Sequence, residues 1–567
     1  METTPLVDVH AHRSQLPNEV KSKDEDPERS LLNVQNLTIA LPKGSDRPYA
    51  VEKLSFGLKA GEILCVVGES GSGKSISANA IMGLLPPTLK RQSGRILFKQ
   101  QDLLQQSEKA WQRLRGKEIA MIFQEPMSAL NPIMSVGNQI TEVMVAHQIY
   151  TATDRRRRVL ELLGFVGLPE PETVQHAYPV HLSGGQCQRV VIAMALALEP
   201  TILIADEPTT ALDVTTQAQI LALIKRIQQS MGMSVLFITH DLSVVAHIAD
   251  RIIVMEQGQL REQGPTMEVL HRPQHAYTRR LIAAVSCDYE KNELTPAQLE
   301  TPILIAQNLR KTYVTGRRGF YQKRIVSAVN NVSFTLSRGQ TLGVVGESGS
   351  GKSTLSKGLL KLIEMDSGQL LFKGQDILPL SQAAFRAYRK QIQMVFQDPF
   401  ASLNPRHTVG RILTDGPRVN GIAYETAVHK AHQLLRWVGL DASAFNRYPH
   451  EFSGGQRQRI SVARALILEP TVLVADESLS ALDVSVQAQI LDLLQKLQKQ
   501  FGIAMVFITH DLQVAAKICH HVAVMHQGSI VEQGRATQVL KQPQHPYTQR
   551  LVAAAPSLLW SEISYVD

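Results

Sequence analysis

VVGESGSGKS, at residues 66–75, recurs letter for letter at residues 344–353. Both copies contain the spacing Gly-x-x-x-x-Gly-Lys-Ser and follow an apolar, β-rich run. Glycines let the backbone turn several N–H groups toward one anion, and the helix that follows adds the positive end of its dipole. The lysine reaches the outer phosphates, and the serine hydroxyl is placed to ligate Mg²⁺. The repeat therefore predicts two P-loops.

We expect the loop glycines and serines, together with the lysine, to bind the phosphates of a nucleotide in each half of the chain. In the first copy these residues are Gly68, Ser70, Gly71, Gly73, Lys74 and Ser75. In the second copy they are Gly346, Ser348, Gly349, Gly351, Lys352 and Ser353.

An acidic pair follows another apolar run in each half. Asp206 and Glu207 come after TILIA, and Asp476 and Glu477 come after TVLVA. Carboxylates at the C-terminal end of a buried strand lie where α/β sheets bind ligands. We expect the aspartates to hold Mg²⁺ directly or through water, and the glutamates to polarise the attacking water. Without a P-loop, such a pair is often only surface charge.

Glutamine and histidine side chains follow two other apolar runs. Gln124 and Gln397 are polar groups able to position Mg²⁺ or water. His240 and His510 end runs that should form strands next to the carboxylate strand, so they could sense the γ-phosphate of ATP. A lone histidine is more often structural than catalytic, and this alternative stays open for both.

A turn of small residues, Ser-Gly-Gly-Gln, opens a helical run in both halves. A helix start of this kind presents free N–H groups and a hydroxyl, so it is suited to an anion. An ordinary helix cap is the alternative interpretation. The residues are Ser183, Gly184 and Gly185 in the first half, and Ser453, Gly454 and Gly455 in the second.

Length and composition limit the possible classes. A chain of 567 residues is long for one core, and 44% apolar with 19% charged residues is typical of a globular protein. The longest apolar run, 190–198, is far shorter than the about 20 residues of a membrane-spanning helix.

The four cysteines form no Cys-x-x-Cys pair, which argues against a local zinc or iron–sulfur motif and fits a reducing cytosol. A net charge of +8 is modest, so no nucleic-acid partner is expected.

The motifs divide the chain into two similar halves. Lys352 follows Lys74 by 278 residues, and His510 follows His240 by 270, with the order of motifs kept. We predict a flexible tail at 1–30, a first domain at 31–285, a linker at 286–302 and a second domain at 303–567. Short β-rich runs alternate with helical patterns in both, which indicates an α/β fold with much parallel sheet.

The basic run at 155–158 is either a solvated helix face or a site for anionic lipid headgroups or a partner.

With these motifs in this order, twice over, the sequence resembles the nucleotide-binding subunits of ATP-binding-cassette (ABC) transporters. The resemblance is strongest to oligopeptide, dipeptide and nickel importer ATPases, including fused forms that import glutathione or microcin C. Its local marks are QEPMSALNP at 124–132, QDPFASLNP at 397–405, and the tail motifs PQHAYT at 273–278 and PQHPYT at 543–548. It implies tandem P-loop NTPase domains, each with a mostly parallel sheet core and a helical subdomain.

The resemblance also implies a mechanism in which the two cassettes pair head to tail within the chain. Each ATP then lies between the P-loop of one cassette and the Ser-Gly-Gly turn of the other. Asp213 and Asp483 match the loop that links the two sites. ATP closes the pair and hydrolysis reopens it, and the segments after the two glutamines transmit the movement to two membrane-spanning permease subunits. An extracytoplasmic solute-binding protein would supply the cargo.

Three positions depart from the family pattern. Tyr313 matches the aromatic residue that stacks on adenine, whereas the first half has Leu41 there. The first site is therefore expected to bind adenine more weakly. Cys187 stands where the second half has Arg457, and Ser478 replaces a proline, but neither is expected to touch a catalytic group.

Two functions fit these motifs. The first is an ATPase (a translocase) that energises import of short peptides or peptide-like solutes, bound peripherally to the cytoplasmic side of a bacterial inner membrane. The second is a twin-cassette ATPase that acts on ribosomes or DNA. Proteins of the second kind usually carry a long charged linker or a coiled-coil insertion, and neither is present here, so the first is favoured.

Overall fold

The computed structural model describes residues 30–45, 47–210, 212–285, 302–315, 324–479 and 484–555. All of the predicted tail except Ser30 and all of the predicted linker except Pro302 lie outside the described residues, so the domain boundaries remain predictions.

The described residues of the first half form ten strands and a set of mostly short helices. The strands are β1 (Ser30–Ala40), β2 (Tyr49–Lys59), β3 (Ile63–Val67), β4 (Lys90–Phe98), β5 (Gln101–Asp102), β6 (Ile119–Ile122), β7 (Ile202–Asp206), β8 (Ser234–Thr239), β9 (Arg251–Glu256) and β10 (Gln259–Pro265). The helices are α1 (Lys74–Ile81), α2 (Glu108–Leu114), α3 (Pro126–Ala129), α4 (Val136–Ala146), α5 (Ala152–Phe165), α6 (Pro171–Val174), α7 (Gly184–Ala195), α8 (Val214–Met231), α9 (Leu242–Ile248), α10 (Thr266–His271) and α11 (Ala276–Val285).

The second half repeats this order. Its strands are β11 (Pro302–Thr315), β12 (Arg324–Ser337), β13 (Thr341–Val345), β14 (Ser367–Phe372), β15 (Gln375–Asp376), β16 (Ile392–Val395), β17 (Val472–Asp476), β18 (Ala504–Thr509), β19 (His521–His526) and β20 (Ser529–Arg535). Its helices are α12 (Lys352–Leu359), α13 (Gln382–Phe385), α14 (Pro399–Ser402), α15 (Val409–Val419), α16 (Tyr424–Trp437), α17 (Gly454–Leu466), α18 (Val484–Phe501), α19 (Leu512–Ile518), α20 (Ala536–Lys541) and α21 (Pro546–Ala554).

Each half has a six-stranded sheet and a four-stranded sheet. The larger sheet of the first half has the order β10-β9-β3-β8-β7-β6, and all its pairs except β9 with β10 are parallel. The second half has the matching order β20-β19-β13-β18-β17-β16. The smaller sheets, β2-β1-β4-β5 and β12-β11-β14-β15, are antiparallel. The predicted α/β fold with a mostly parallel core sheet in each half is confirmed.

The strand before the first P-loop is apolar on both faces because it separates two hydrophobic cores. Ile63, Cys65 and Val67 face a core shared with helices α4, α5 and α7, whereas Leu64 and Val66 face a core under the antiparallel sheet. Successive side chains of a strand point to opposite faces, so a strand buried on both sides reads as a continuous apolar run. This burial fixes the end of the strand, and with it the start of the phosphate loop.

The basic run at 155–158 lies on helix α5, whose apolar side is buried. Arg155 donates to the carbonyl of Ile149 at 2.9 Å, while Arg157 and Arg158 pair with Asp154 and Glu199 at 3.0 and 2.7 Å. These local partners favour the solvated helix face over a lipid or partner site.

The P-loop backbone requires glycine most strictly at Gly351. Its φ is 103°, and a Cβ there would lie 1.9 Å from the carbonyl oxygen of Ala328 on β12. Gly349 has a similar left-handed φ of 79°, but a Cβ there would meet nothing within 4 Å.

Gly351→Ala should therefore destabilise the second half much more than Gly349→Ala. Both substitutions incur the about 1–2 kcal/mol penalty of a left-handed residue, and only Gly351→Ala adds a backbone clash. The midpoint of thermal unfolding, measured by calorimetry on the two variants, tests this difference. Equal shifts would show that the contact with Ala328 is not a real constraint.

Candidate functional site

The lysine of each P-loop is buried against the loop's own carbonyl groups. Lys74 Nζ donates to the carbonyls of Gly68 and Glu69 at 2.6 and 2.9 Å, and Lys352 Nζ donates to the matching carbonyls at 2.8 Å each. Both lysines are only 4% exposed. Burial lowers the pKa of Lys352, although the facing carboxylate of Glu477 opposes that shift. Each loop therefore holds a fixed ammonium at the N-terminus of helix α1 or α12, where an anion is favoured.

The first carboxylate of each acidic pair lies beside the P-loop. Asp206, at the end of β7, accepts a hydrogen bond from the Ser75 hydroxyl at 2.9 Å, and Ser353 Oγ lies 3.5 Å from Asp476. Burial raises the pKa of Asp206 to about 6, and a cation beside it would favour the charged form. A buried carboxylate next to a hydroxyl offers the hard oxygen donors that Mg²⁺ prefers, so Ser75 with Asp206 and Ser353 with Asp476 fit that ion.

The second carboxylate is surrounded by side chains from neighbouring strands. Glu207 Oε2 accepts from Gln124 Nε2 at 3.0 Å and from the Thr210 hydroxyl at 3.0 Å, and its Oε1 lies 3.4 Å from His240 Nδ1. Because β6, β7 and β8 are adjacent and parallel, their C-terminal ends bring these side chains together.

The second half repeats this cluster. Gln397 Nε2 donates to Glu477 Oε2 at 2.8 Å, and His510 Nδ1 lies 3.6 Å from Glu477 Oε1. Lys352 Nζ is 3.8 Å from the same oxygen. The predicted adjacency of the histidine and carboxylate strands is therefore correct in both halves.

Both glutamates are held ionised in a strained backbone. Burial raises the pKa of Glu207, but the hydrogen bond and charge of His240 and the charge of Lys74 outweigh it, and the net pKa is about 2. For Glu477 the hydrogen bond to His510 is the main cause of a lowered pKa. Their φ angles are 46° and 41°, in the left-handed region that non-glycine residues seldom adopt. Such strain is concentrated at functional sites.

The Ser-Gly-Gly turns are the starts of helices α7 and α17. Ser183 Oγ accepts from Gln186 N at 3.3 Å while Gln186 Oε1 accepts from Ser183 N at 2.9 Å, and Ser453 and Gln456 form the same capping box. Each serine is therefore a helix cap, as the alternative interpretation had it. Capping does not exclude an anion, because the next residues, Gly184 and Gly185 or Gly454 and Gly455, occupy the first turn of the helix, where backbone N–H groups have no intrahelical partner. Gly184 is exposed and the other three glycines are half-buried.

The two halves meet at the second P-loop. The Thr215 hydroxyl lies 2.6 Å from the Glu347 carboxylate, across 132 residues, and 2.8 Å from Asp213 of its own half. Gly185 of the Ser-Gly-Gly turn packs directly against Thr216, the residue after Thr215: a Cβ added to Gly185 would lie 2.5 Å from the Thr216 methyl group. The Ser-Gly-Gly turn of the first half is therefore close to the residues that contact the P-loop of the second. The corresponding Asp483 lies outside the described residues.

The position for which adenine stacking was predicted has different surroundings in the two halves. Tyr313, on β11, is 40% exposed, whereas Leu41 is half-buried against the core under the antiparallel sheet. Arg47, in the turn between β1 and β2, donates a hydrogen bond to the carbonyl of Gly71 in the first P-loop. The first P-loop is therefore in contact with the guanidinium group of Arg47. The matching residue of the second half is Ile325, which is apolar.

Several residues of the site were not predicted from the sequence. They are Thr210, Thr215, Arg47 and the tail tyrosines Tyr277 and Tyr547. The hydroxyl of Tyr277 contacts Glu69 N in the first P-loop, and the hydroxyl of Tyr547 contacts Glu347 N in the second. The repeated motif at 273–278 and 543–548 was the available signal for the tyrosines. Thr215 contacts a residue 132 positions away and Arg47 one 24 positions away, so neither contact leaves a local periodicity in the sequence. Thr210 lies three residues after Glu207, but no motif marked it.

Comparison with known proteins agrees with this geometry. Residues 51–210 and 329–480 match the family described as ABC transporter. Residues 261–314 and 531–562 match the oligopeptide/dipeptide transporter C-terminal region.

Among curated proteins, the glutathione import ATP-binding protein GsiA of Shigella dysenteriae serotype 1 is 47% identical, covering 94% of this chain and 90% of that protein. GsiA of Escherichia coli K12 is 46% identical with the same coverage. Among solved structures, the dimeric structure of MJ0796, a bacterial ABC transporter cassette, is 30% identical and aligns with 41% of this chain and 98% of that chain, with a TM-score of 0.38.

The family match spans both repeats, and the predicted glutamine and glutamate residues converge in space in each of them. The chain therefore belongs to the ABC transporter family, as an ATP-hydrolysing subunit of the oligopeptide/dipeptide type that carries two cassettes in one polypeptide.

Proposed function

We propose that this subunit energises import of short peptide-like solutes, with glutathione as the first solute to test. The observation that carries the proposal is the combination of two complete cassettes with an oligopeptide/dipeptide tail region after each. Relatives at 46–47% identity over 94% of the chain are named for glutathione import. No described feature favours action on ribosomes or DNA.

We assign the hydrolytic chemistry to the cluster around each buried glutamate. Glu207 and Glu477, ionised at neutral pH, would accept a proton from the attacking water and orient it. Gln124 and Gln397 fix the position of each carboxylate, and His240 and His510 would contact the γ-phosphate. Mg²⁺, held by Ser75 with Asp206 or by Ser353 with Asp476, would neutralise phosphate charge.

Each ATP site is proposed to be shared between the halves. Lys74, Ser75 and Glu207 would act with Ser453, Gly454 and Gly455, and Lys352, Ser353 and Glu477 with Ser183, Gly184 and Gly185. The contact of Thr215 with Glu347 supports this pairing, because it brings the start of α8 to the opposite P-loop. Tyr313 would stack on adenine at the second site.

The membrane part of the transporter is proposed to lie in separate chains. Among the described helices, none has both the length and the apolar character needed to cross a membrane. We propose that the subunit binds two permease subunits at the cytoplasmic face of a bacterial inner membrane and that an extracytoplasmic solute-binding protein delivers the cargo. The segments after Gln124 and Gln397 would contact the permeases, and no nucleic acid is involved.

Glu207→Gln combined with Glu477→Gln should leave ATP binding intact and lower hydrolysis by about 100-fold or more, because a general base contributes about 10²–10⁴-fold. Phosphate release and nucleotide binding, measured on the same preparation, test both parts.

The matched control for that double variant is Glu199→Gln with Glu469→Gln. These glutamates also have left-handed φ angles, 54° and 52°, but they form surface ion pairs. The control should hydrolyse ATP normally, and normal turnover in Glu207→Gln/Glu477→Gln would refute the assigned role.

Leu41→Tyr should tighten nucleotide binding at the first site only, by about fivefold or more, since stacking of an aromatic ring on a base is worth about 1–3 kcal/mol. Titration with a fluorescent ATP analogue in a Lys352→Ala background isolates the first site. Tyr313→Leu, titrated in a Lys74→Ala background, should weaken the second site. Unchanged affinity in both would remove the stacking role.

Deletion of the gene should abolish uptake of radiolabelled glutathione, and the wild-type gene should restore it whereas the Glu207→Gln/Glu477→Gln gene should not. The tagged subunit should co-purify with polytopic membrane proteins. Normal glutathione uptake in the deletion strain, with loss of another short peptide, would leave the ATPase role standing and reject glutathione as the cargo.

A further inference from the structure

The tail motif that follows each cassette places a tyrosine hydroxyl against that cassette's own P-loop. Tyr277 Oη lies 3.2 Å from Glu69 N, and Tyr547 Oη lies 3.1 Å from Glu347 N, so each hydroxyl accepts a hydrogen bond from the second residue of the loop. Both rings are 3% exposed. The same contact occurs in both halves, between residues 208 and 200 positions apart. It is therefore a repeated feature of the two sites.

Each tyrosine is held in place by its own motif. The Glu262 carboxylate accepts from the backbone N–H groups of Gln274 and His275 at 2.7 and 3.0 Å, and His275 Nδ1 accepts from Tyr277 N at 3.1 Å. Glu532 and His545 repeat these bonds around Tyr547 at 2.9, 3.0 and 3.1 Å. The hydroxyl is therefore carried by an ordered turn.

The tyrosine and the P-loop lysine bind opposite ends of one peptide group. In the first loop, the peptide between Gly68 and Glu69 gives its carbonyl to Lys74 and its N–H to Tyr277. A lysine that turned toward phosphate would give up part of its bond to that carbonyl, whereas the tyrosine could keep its bond to the N–H. The tyrosine would then restrain the orientation of this peptide group, and a preorganised loop binds its ligand more tightly.

The helices that carry the tyrosines also pack against the opposite half. Helix α11 contacts α18, and α21 contacts α8. Val214, at the start of α8, belongs to the same hydrophobic cluster as Tyr547 and Leu551 of the other half. Val484 packs against the first-half cluster that contains Tyr277. Pairing of the halves therefore adds contacts between each tail helix and the opposite half.

We propose that Tyr277 and Tyr547 are positioning residues that set the two P-loops for ATP. The tail motif then contributes one positioning residue to each nucleotide site, and each tyrosine acts on the P-loop of its own cassette. The inference rests on the proposed assignment of the two P-loops as ATP sites.

Single tyrosine-to-phenylalanine variants of the full chain test the proposal, because they keep the buried ring and remove only the hydroxyl. In a Lys74→Ala background, which leaves the second site, Tyr547→Phe should weaken binding of a fluorescent ATP analogue about threefold to tenfold, as expected for one lost hydrogen bond. Tyr277→Phe should have no effect there. In a Lys352→Ala background the two variants should exchange roles.

Two further readouts separate positioning from general structure. Without the lysine substitutions, Tyr277→Phe and Tyr547→Phe should raise the KM for ATP while the rate at saturation stays near that of the wild type. Hydrogen exchange of the P-loop peptide should be faster in the loop that lost its tyrosine hydroxyl and unchanged in the other. The control is Tyr388→Phe, which removes a 2.6 Å hydrogen bond to Gln375 remote from both loops and should change none of these values.

The outcomes distinguish this inference from the proposed function. If Lys74→Ala and Lys352→Ala leave two nucleotides bound per chain, the assignment of the ATP sites fails. If each lysine variant removes one site but the tyrosine variants leave affinity and exchange unchanged, the positioning role is overturned. Equal weakening of both sites by either tyrosine variant, with a lowered unfolding midpoint, would also overturn it, because it indicates a general structural effect.

Discussion

A buried ammonium group at the edge of each parallel sheet is the interaction on which the rest of the structure depends. Removal of a lysine charge from water costs several kcal/mol unless other groups replace the lost hydration. In this chain the loop carbonyls do so, with Glu477 3.8 Å from Lys352 in the second half. In each half the lysine follows a strand that ends in a tight glycine loop, and the acidic pair follows a parallel strand of the same sheet, with one strand between them. The order of the strands therefore sets the distance between the ammonium group and the carboxylates.

The two halves share this framework but differ in what surrounds it. Ser356 donates to Asp476 at 2.7 Å, whereas Ala78 occupies the matching position in the first half. Arg457 Nε donates to the carbonyl of Pro449 at 2.7 Å, whereas the buried thiol of Cys187 makes only a weaker contact with the matching carbonyl of Pro179 at 3.6 Å. Together with Leu41 in place of Tyr313, these differences leave both acidic pairs, Asp206 with Glu207 and Asp476 with Glu477, unchanged. Both halves therefore keep the groups to which we assign hydrolysis, while their affinities for nucleotide are expected to differ.

Much of this arrangement could be predicted from the sequence because its chemistry is carried by residues at strand ends. The strand order brings Gln124, Glu207 and His240 together, and each follows a recognisable apolar run. The contacts of Tyr277, Tyr547 and Thr215 could not be predicted, since they join residues 132 to 208 positions apart and depend on tertiary packing. The repeated tail motif marked the tyrosines without indicating what they touch.

In the pairing proposed here, the two halves of one chain complete each other's ATP sites. A structure of the full chain with Mg²⁺ and a non-hydrolysable ATP analogue would show this pairing. We expect two bound nucleotides, one with its triphosphate between Lys74 and Ser453 and the other between Lys352 and Ser183. Nucleotides held by one half alone, with the Ser-Gly-Gly turns of the other half turned away, would contradict it.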